Sequence, residues 1–384
     1  MSSQLTSKTV AEYFAGIGLV RMGLEKAGWQ VTFANDFSGK KYKMYADFFP
    51  DAAQHYVIND IFNLTLEDVP PATLATCSFP CIDLSLAGNM NGIDGNHSSA
   101  FWGFVRILQQ QGTLSPPLIL LENVPGWLYS NKGADFRVTV QAINKLGYTC
   151  DVFTLDARRF TPQSRLRVFL VGQKSENCAN VNTILERPKA LASDQLKKRV
   201  FANRDLCWRP FEIPQPPPLK MTGLAEIVEE MADDDGRWWS EYETQRHIAM
   251  MAPSHYQRVM QMAQGKEFSY RTFFRRRRKE QQRAEVRHDD IAGCLRTAVG
   301  GSGKQFLIKA GRGIIKMRTM TPREYARLQG VPDDYPINTQ GVQALTGFGD
   351  AVCVPVITWI AQNVLNPLAE MLEQPDLSPP LPTR

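Results

Sequence analysis

The chain has 384 residues, 43% hydrophobic and 22% charged, with seven cysteines and a net charge of +5, the composition of an ordinary globular protein with room for one large domain or two unequal ones. The opening "MSSQLTSKTV" lacks a basic-then-apolar leader pattern, and no apolar run approaches the roughly 18 residues of a membrane span; the longest, 351–365, is broken by Pro355, Gln362 and Asn363. An odd number of cysteines at irregular spacings suits free thiols in a reducing compartment, so a cytoplasmic (or nuclear) protein is expected.

Short apolar runs alternate with longer amphipathic ones over the first ~170 residues, which predicts an α/β domain on a largely parallel sheet. A strand at 9–14 leads through Phe14-Ala15-Gly16-Ile17-Gly18 into a helix at 19–27. Glycines there let backbone approach a ligand at the C-terminal sheet edge, but a full dinucleotide fingerprint wants a third glycine where Arg21 stands. A second strand, 31–35, ends at Asp36, placed to bond a ribose hydroxyl; a helix at 40–48 and a strand at 56–58 follow, and Asp60-Ile61 then offers a carboxylate and an apolar wall for an adenine. The pattern suits an adenosine ligand without a pyrophosphate; a plain βαβ turn is the alternative.

A strand at 74–77 runs into "CSFPCIDLS". Zinc binding by Cys77 and Cys81 fails for want of a second pair, so no metal is expected. Cys77 at the strand end fits the core, whereas Cys81, after the strand-ending Pro80 and before a glycine-rich loop, fits a nucleophile over a cleft. A helix at 100–111 and a strand at 118–122 end on Glu122-Asn123; a glutamate on the rim of an apolar strand is costly unless paired or functional, and partial burial would favour its proton-sharing form. A helix at 135–146 and strands at 150–155 and 167–171 complete the set, and alternation puts Arg165 and Arg167 on one face. Each of Cys81, Glu122 and the arginine pair also admits a purely structural role.

Beyond Gly172 the pattern changes: 173–317 is rich in charge, tryptophan and proline, without clear alternation, and "IPQPPPL" at 213–219 reads as an extended connection. Within it, residues 271–287, "RTFFRRRRKEQQRAEVR", carry seven Arg and one Lys against two Glu, a local +6 that leaves the rest of the chain near −1. This is either an electrostatic footprint for a polyanion or a solvated charged loop. Order returns with "RTMTPREYARLQG", where Thr321-Pro322-Arg323-Glu324 fits a helix start, and with an apolar helix at 354–365 that can return to complete the first domain.

The motifs "FAGIG", "FPCIDLS", "LLENV", "QSRLRVFLVG", "RTMTPREYARLQG" and "GFGDAV", in this order, resemble those of cytosine carbon-5 DNA methyltransferases over residues 9–172 and about 318–364. The resemblance implies a doubly wound Rossmann-like methyltransferase sheet of residues 1–175 plus 337–384, with a smaller target-recognition domain and hinge at 176–336. It implies that Cys81 adds to carbon 6 of a flipped cytosine, that Glu122 hydrogen-bonds or protonates ring nitrogen 3, and that Arg167 binds the position-2 oxygen while Arg165 orients it or contacts phosphate. S-adenosyl-L-methionine would supply the methyl group and be held by Phe14, Ala15, Gly16, Ile17, Gly18, Asp36, Asp60, Ile61, Pro80, Asp350 and Val352. DNA contacts would come from Ser85, Arg271, Arg275, Arg276, Arg277, Arg278 and Lys279. Double-stranded DNA is the implied partner, a cognate restriction endonuclease the functional counterpart, and a monomer the expected state. Three positions depart from the family pattern: Glu12 stands where Asp is usual, Ile82 for Gln, and Asp350 for Asn, near the expected methionine end of the donor. The alternatives are a tRNA cytosine methyltransferase, or a catalytically silent DNA-binding regulator on the same fold.

Overall fold

The computed structural model describes residues 8–79, 100–297, 303–339 and 341–373. Seven strands form the larger sheet: β1 (Thr9–Tyr13), β2 (Gln30–Asp36), β3 (Tyr56–Ile58), β4 (Leu74–Cys77), β5 (Leu118–Asn123), β6 (Tyr148–Asp156) and β7 (Leu166–Lys174), in the order β3-β2-β1-β4-β5-β7-β6. Neighbours from β3 to β5 are parallel, while β7 runs antiparallel to both β5 and β6. The β6–β7 connection, 157–165, is too short for the crossover that parallel neighbours require, which fixes the reversal.

Both faces of this sheet are covered, as a mostly parallel sheet demands, and side chains alternate between two cores. Val10, Val31, Leu74 and Leu118 enter one core; Ala11, Phe33, Ala75 and Ile119 enter the other. The first core is closed by the C-terminal helices. Helix Leu19–Glu25 packs so tightly on helix Val354–Ile360 that a Cβ on Gly23 would lie 2.6 Å from Ile357 Cβ, and Trp29 Nε1 donates to Asn366 Oδ1 at 2.8 Å. The helical run Val342–Glu373 is, against expectation, long and apolar enough to cross a bilayer, but 67% of its most apolar window is buried inside the protein.

The second core takes in helices Ala100–Gln111 and Ala134–Lys145, and also Val181, Ile184, Leu196 and Trp208 from beyond Lys174. Packing on the large sheet therefore continues past residue 175. There Ala179 N donates to Trp208 O at 2.6 Å, and this pairing sets Cys178 beside Cys207, 29 residues apart, as a disulfide. Two of the seven thiols expected to be free are thus joined, through a juxtaposition that spacing could not reveal.

A third core, from Ile248 to Met317, belongs to an antiparallel sheet ordered β11-β10-β8-β9: β8 (Ser269–Arg278), β9 (Gln281–Val286), β10 (Phe306–Gly311) and β11 (Ile314–Thr319). The basic run is no loose loop. It folds as the β8–β9 hairpin, turning at Lys279 and Glu280, both at positive φ (43° and 65°), as a two-residue turn of the twist-matched kind requires. The proline stretch 213–219 contains no helix or strand. Helix Pro322–Leu328 starts with the anticipated Thr321 cap, and Glu324 closes a capping box while its carboxylate forms a fully buried pair with Arg318 (Nη1–Oε2 2.7 Å, Nη2–Oε1 2.5 Å).

Candidate active site

The C-terminal ends of β1, β2, β4 and β5 open onto a cleft of about 760 Å³, where ligands bind in open α/β sheets. The turn after β1 forms one wall. Phe14 (φ 59°), Gly16 (φ 57°) and Gly18 (φ 83°) all take positive φ. At position 18 glycine is obligatory, since a Cβ would lie 2.5 Å from the Phe49 ring and 2.7 Å from that of Tyr45. Asp36 is buried at the end of β2, where its Oδ2 accepts from Gly16 N at 3.1 Å and its Oδ1 from Ser38 N at 2.9 Å. The acid thus braces the glycine turn, and each oxygen keeps a lone pair for a ligand.

Because β7 runs against β5, its first residues stand at the same edge as the last of β5: Glu122 is in register with Phe169, and Asn123 with Val168. Glu122 and Arg167 meet there, Nε to Oε1 at 2.9 Å, both side chains 13% exposed. Arg165 is buried beside them with its guanidinium bound to backbone: Nη1 donates to Leu295 O (2.8 Å), Nη2 to Gly349 O (3.2 Å) and Ala351 O (2.6 Å). Burial, then the neighbouring Arg167, lowers its hold on its proton. Through these three carbonyls its head group fastens the far wall of the cleft.

Cys77 is fully buried, and burial pushes its thiol well above the ordinary range, as befits a core residue. Pro80, Cys81, Ile82 and Ser85 lie outside the described residues. The chain reaches them from Phe79, whose carbonyl accepts from the buried Asn123 Nδ2 at 3.2 Å.

Phe14, Ala15, Gly16, Ile17, Asp36, Glu122, Arg165, Arg167, Asp350 and Val352 all line this one cleft. Gly18 stands behind it, against Tyr45 and Phe49. Asp60 and Ile61 do not line it: Asp60 is exposed and caps the turn Ile61–Asn63 through Phe62 N (3.0 Å), and Ile61 is buried under Gly103, so it offers no open wall to a ring. Among the cleft residues that sequence reading passed over are Phe37, 72% exposed just after Asp36, together with Lys41, Cys294, Arg296 and Thr297. An exposed aromatic following a strand-end acid was a usable signal for Phe37; the others come from a helix and from a segment far along the chain, and carried none. Cys294 Sγ lies 3.6 Å from Arg165 Nη1 and 4.0 Å from both Arg167 Nη atoms. Burial alone raises its thiol, but Arg165, Arg167 and Arg296 together more than offset this and bring it below the ordinary value.

In the hairpin, Arg271 pairs with Asp290 (3.3 Å), Arg276 and Arg278 with Glu285 (4.0 and 2.9 Å), and Arg275 lies over the Phe306 ring at 5.0 Å. Arg277 and Lys279 are exposed and make no ion pair among the described residues.

Among solved structures of the same fold are the S. pombe Dnmt2 methyltransferase (TM-score 0.58, 16% identity, covering 94% of this chain and 99% of that one) and a putative DNA modification methyltransferase encoded within prophage Cp of E. coli (TM-score 0.56, 18% identity, 94% and 100%). In sequence the chain is 26% identical to the Type II methyltransferase M.SsoII of Shigella sonnei (93% of this chain, 80% of that one). It is likewise 26% identical to the Type II methyltransferase M.Bsp6I of Bacillus sp. strain RFL6 (92% and 98%). The sequence model for C-5 cytosine-specific DNA methylases matches residues 8–366, nearly the whole chain, and the protein therefore belongs to the C-5 cytosine-specific DNA methylase family.

Proposed function

We propose that this protein methylates carbon 5 of a cytosine within a short double-stranded DNA sequence, with S-adenosyl-L-methionine as methyl donor. The observation that carries the reading is the convergence in one cleft of the braced glycine turn, Asp36 and the Glu122–Arg167 pair, with Phe79, two residues before Cys81, tied to its floor by Asn123. The cleft fits the donor: it has an acid with free lone pairs for ribose hydroxyls, the exposed Phe37 ring for an adenine, and opposite charges on Lys41 and Asp350 at the other wall. The donor supplies an electrophilic methyl group, and everything else is done by side chains.

Carbon 5 of cytosine is too weakly nucleophilic to take a methyl group unaided, so the Cys81 thiolate adds to carbon 6 and raises electron density at carbon 5. Once carbon 5 is methylated, loss of its proton and expulsion of Cys81 restore the ring and free the thiolate. Glu122 hydrogen-bonds ring nitrogen 3 as negative charge gathers there, and Arg167, already held against Glu122, takes the position-2 oxygen. Arg165 is a positioning residue: it fastens 295, 349 and 351, and so the wall carrying Asp350 and Val352. None of these groups can reach a stacked base, so the cytosine leaves the helix first, at a cost of a few kcal/mol.

The small domain within 176–336 then acts as the target-recognition unit, with Arg277 and Lys279 at the hairpin tip contacting phosphates and Arg271, Arg275, Arg276 and Arg278 shaping the ribbon that carries them. The enzyme acts as a monomer in the cytoplasm, and a restriction endonuclease of matching specificity is its functional counterpart. Incubation with tritiated S-adenosylmethionine and mixed-sequence DNA, followed by bisulfite sequencing, should show protected cytosines in one short motif. Cys81→Ser should abolish transfer and keep DNA binding. Incorporation into tRNA alone would replace the substrate, and no incorporation with retained DNA binding would leave a silent regulator.

A further inference from the structure

Asp350 puts a second carboxylate on a cleft that must admit the carboxylate of an amino acid, and the structure holds a counterpart to it. Lys41 Nζ lies 3.7 Å from Asp350 Oδ2, while Asp350 Oδ1 accepts from Thr297 Oγ1 at 2.6 Å. Lys41 is placed by its helix. Ser38 caps Gly39–Phe48 by accepting from Lys41 N at 3.3 Å, and the lysine stem crosses the glycine turn, its Cδ 3.9 Å from where a Gly16 Cβ would stand. Both side chains are about a third exposed (29% and 31%), and both line the cleft. A pair this exposed adds little to stability, on the order of 0–1 kcal/mol, so opening it costs little.

We propose, on the donor reading above, that Lys41 and Asp350 form a charge-matched receptor for the donor's amino-acid end: the lysine takes the α-carboxylate and the aspartate the α-ammonium. The two groups neutralise each other and on binding exchange one mutual contact for two with the ligand. The acid at 350 is thereby accommodated by the lysine at 41, and the two positions act as one unit. Arg296, exposed on the same cleft, is the competing cation for the carboxylate.

Calorimetric titration of the full-length protein, without DNA, tests this with three probes: S-adenosylhomocysteine, its decarboxylated form, and 5′-methylthioadenosine, which lacks the amino-acid end. Lys41→Met should weaken S-adenosylhomocysteine about 10- to 100-fold, the range for a charged hydrogen bond, and leave the other two probes unchanged. Asp350→Asn should weaken the first two probes and leave methylthioadenosine unchanged. The double variant should lose somewhat more than the product of the single losses, because each single variant is already relieved of breaking the mutual pair and the double variant is relieved of it only once. Wild-type affinity for S-adenosylhomocysteine in both single variants would overturn the proposal. So would equal losses on methylthioadenosine, or a loss that moves to Arg296→Gln. If the wild-type protein binds none of the three probes, the donor reading itself falls and this proposal with it. Binding of S-adenosylhomocysteine by wild type and Lys41→Met alike sinks the proposal only.

Discussion

Glu12 offers the sharpest test of the energetics. It sits mid-strand in β1, between Ala34 of β2 and Thr76 of β4, fully buried, and neither carboxylate oxygen has a hydrogen-bond partner among the described residues. Burial pushes its pKa up to about 8, an effect that the nearby Arg21 only partly offsets. The folded protein then holds a proton that the unfolded chain, near 4.5, releases, so this group's contribution to stability is intact below pH 4.5, falls as pH rises, and levels off above pH 8. At about 1.4 kcal/mol per unit, burying Glu12 costs the native state, relative to the ionised unfolded chain, roughly 3 kcal/mol at pH 7 and about 5 kcal/mol at pH 9. Glu12→Gln keeps the shape and the polar group but cannot ionise. It should therefore match wild type within about 1 kcal/mol at pH 5 and exceed it by those amounts at pH 7 and 9. Urea unfolding followed by circular dichroism at the three pH values measures the difference, in which other titrating groups cancel. A stability gap independent of pH would refute the reasoning.

Arg318→Met leaves the buried Glu324 carboxylate without its partner and should cost about 3–5 kcal/mol in urea unfolding; a loss under 1 kcal/mol would show the pair to be dispensable. Gly18→Ala forces a Cβ at positive φ against Phe49 and Tyr45 and should cost roughly 2–4 kcal/mol by the same measurement, unless those rings have room to withdraw. Arg165→Lys keeps the charge but cannot serve three carbonyls in fixed directions, so it should lower stability by about 1–3 kcal/mol; an unshifted melting temperature would contradict this. Replacing Arg277 and Lys279 by alanine should reduce the salt slope of DNA binding by about 1.8, two contacts at 0.9 each, whereas an unchanged slope would take the hairpin tip off the phosphates.

Regular elements of the large sheet were legible wherever apolar residues recur with a clear period: the strands at 56–58 and 74–77 and the helix at 100–111 fall where their patterns place them. The ends of β6 and β7 were not. Strand β6 begins at Tyr148 and β7 ends at Lys174, beyond the clear apolar pattern, where Tyr148 Oη donates to Pro116 O and Thr149 Oγ1 to Gln173 O, partners that spacing does not reveal. The hairpin was hidden for a different reason. Arginines interrupt its alternation, yet the Arg275 side chain lies over Phe306 and packs as an apolar residue would. In the cleft, residues following strand ends were readable, because a parallel sheet gathers those ends at one edge. Lys41, from a helix, and Cys294 and Thr297, from a segment more than a hundred residues further on, depend on the closed fold.

The packing of helix Leu19–Glu25 against Val354–Ile360 bears on how the protein is made. The ribosome releases the first helix early and its covering partner about 330 residues later, some 16–66 s at typical bacterial and eukaryotic elongation rates. Through that interval the apolar face that Gly23 keeps flat has nothing to rest on. The cleft wall that Arg165 fastens through Gly349 and Ala351 arrives only at the end as well. Until its last helices emerge a nascent chain lacks both the cover of that face and one wall of its cleft, so a slow codon just upstream of Val354, which prolongs the exposure, should deplete soluble protein more than one placed before Leu19, which does not.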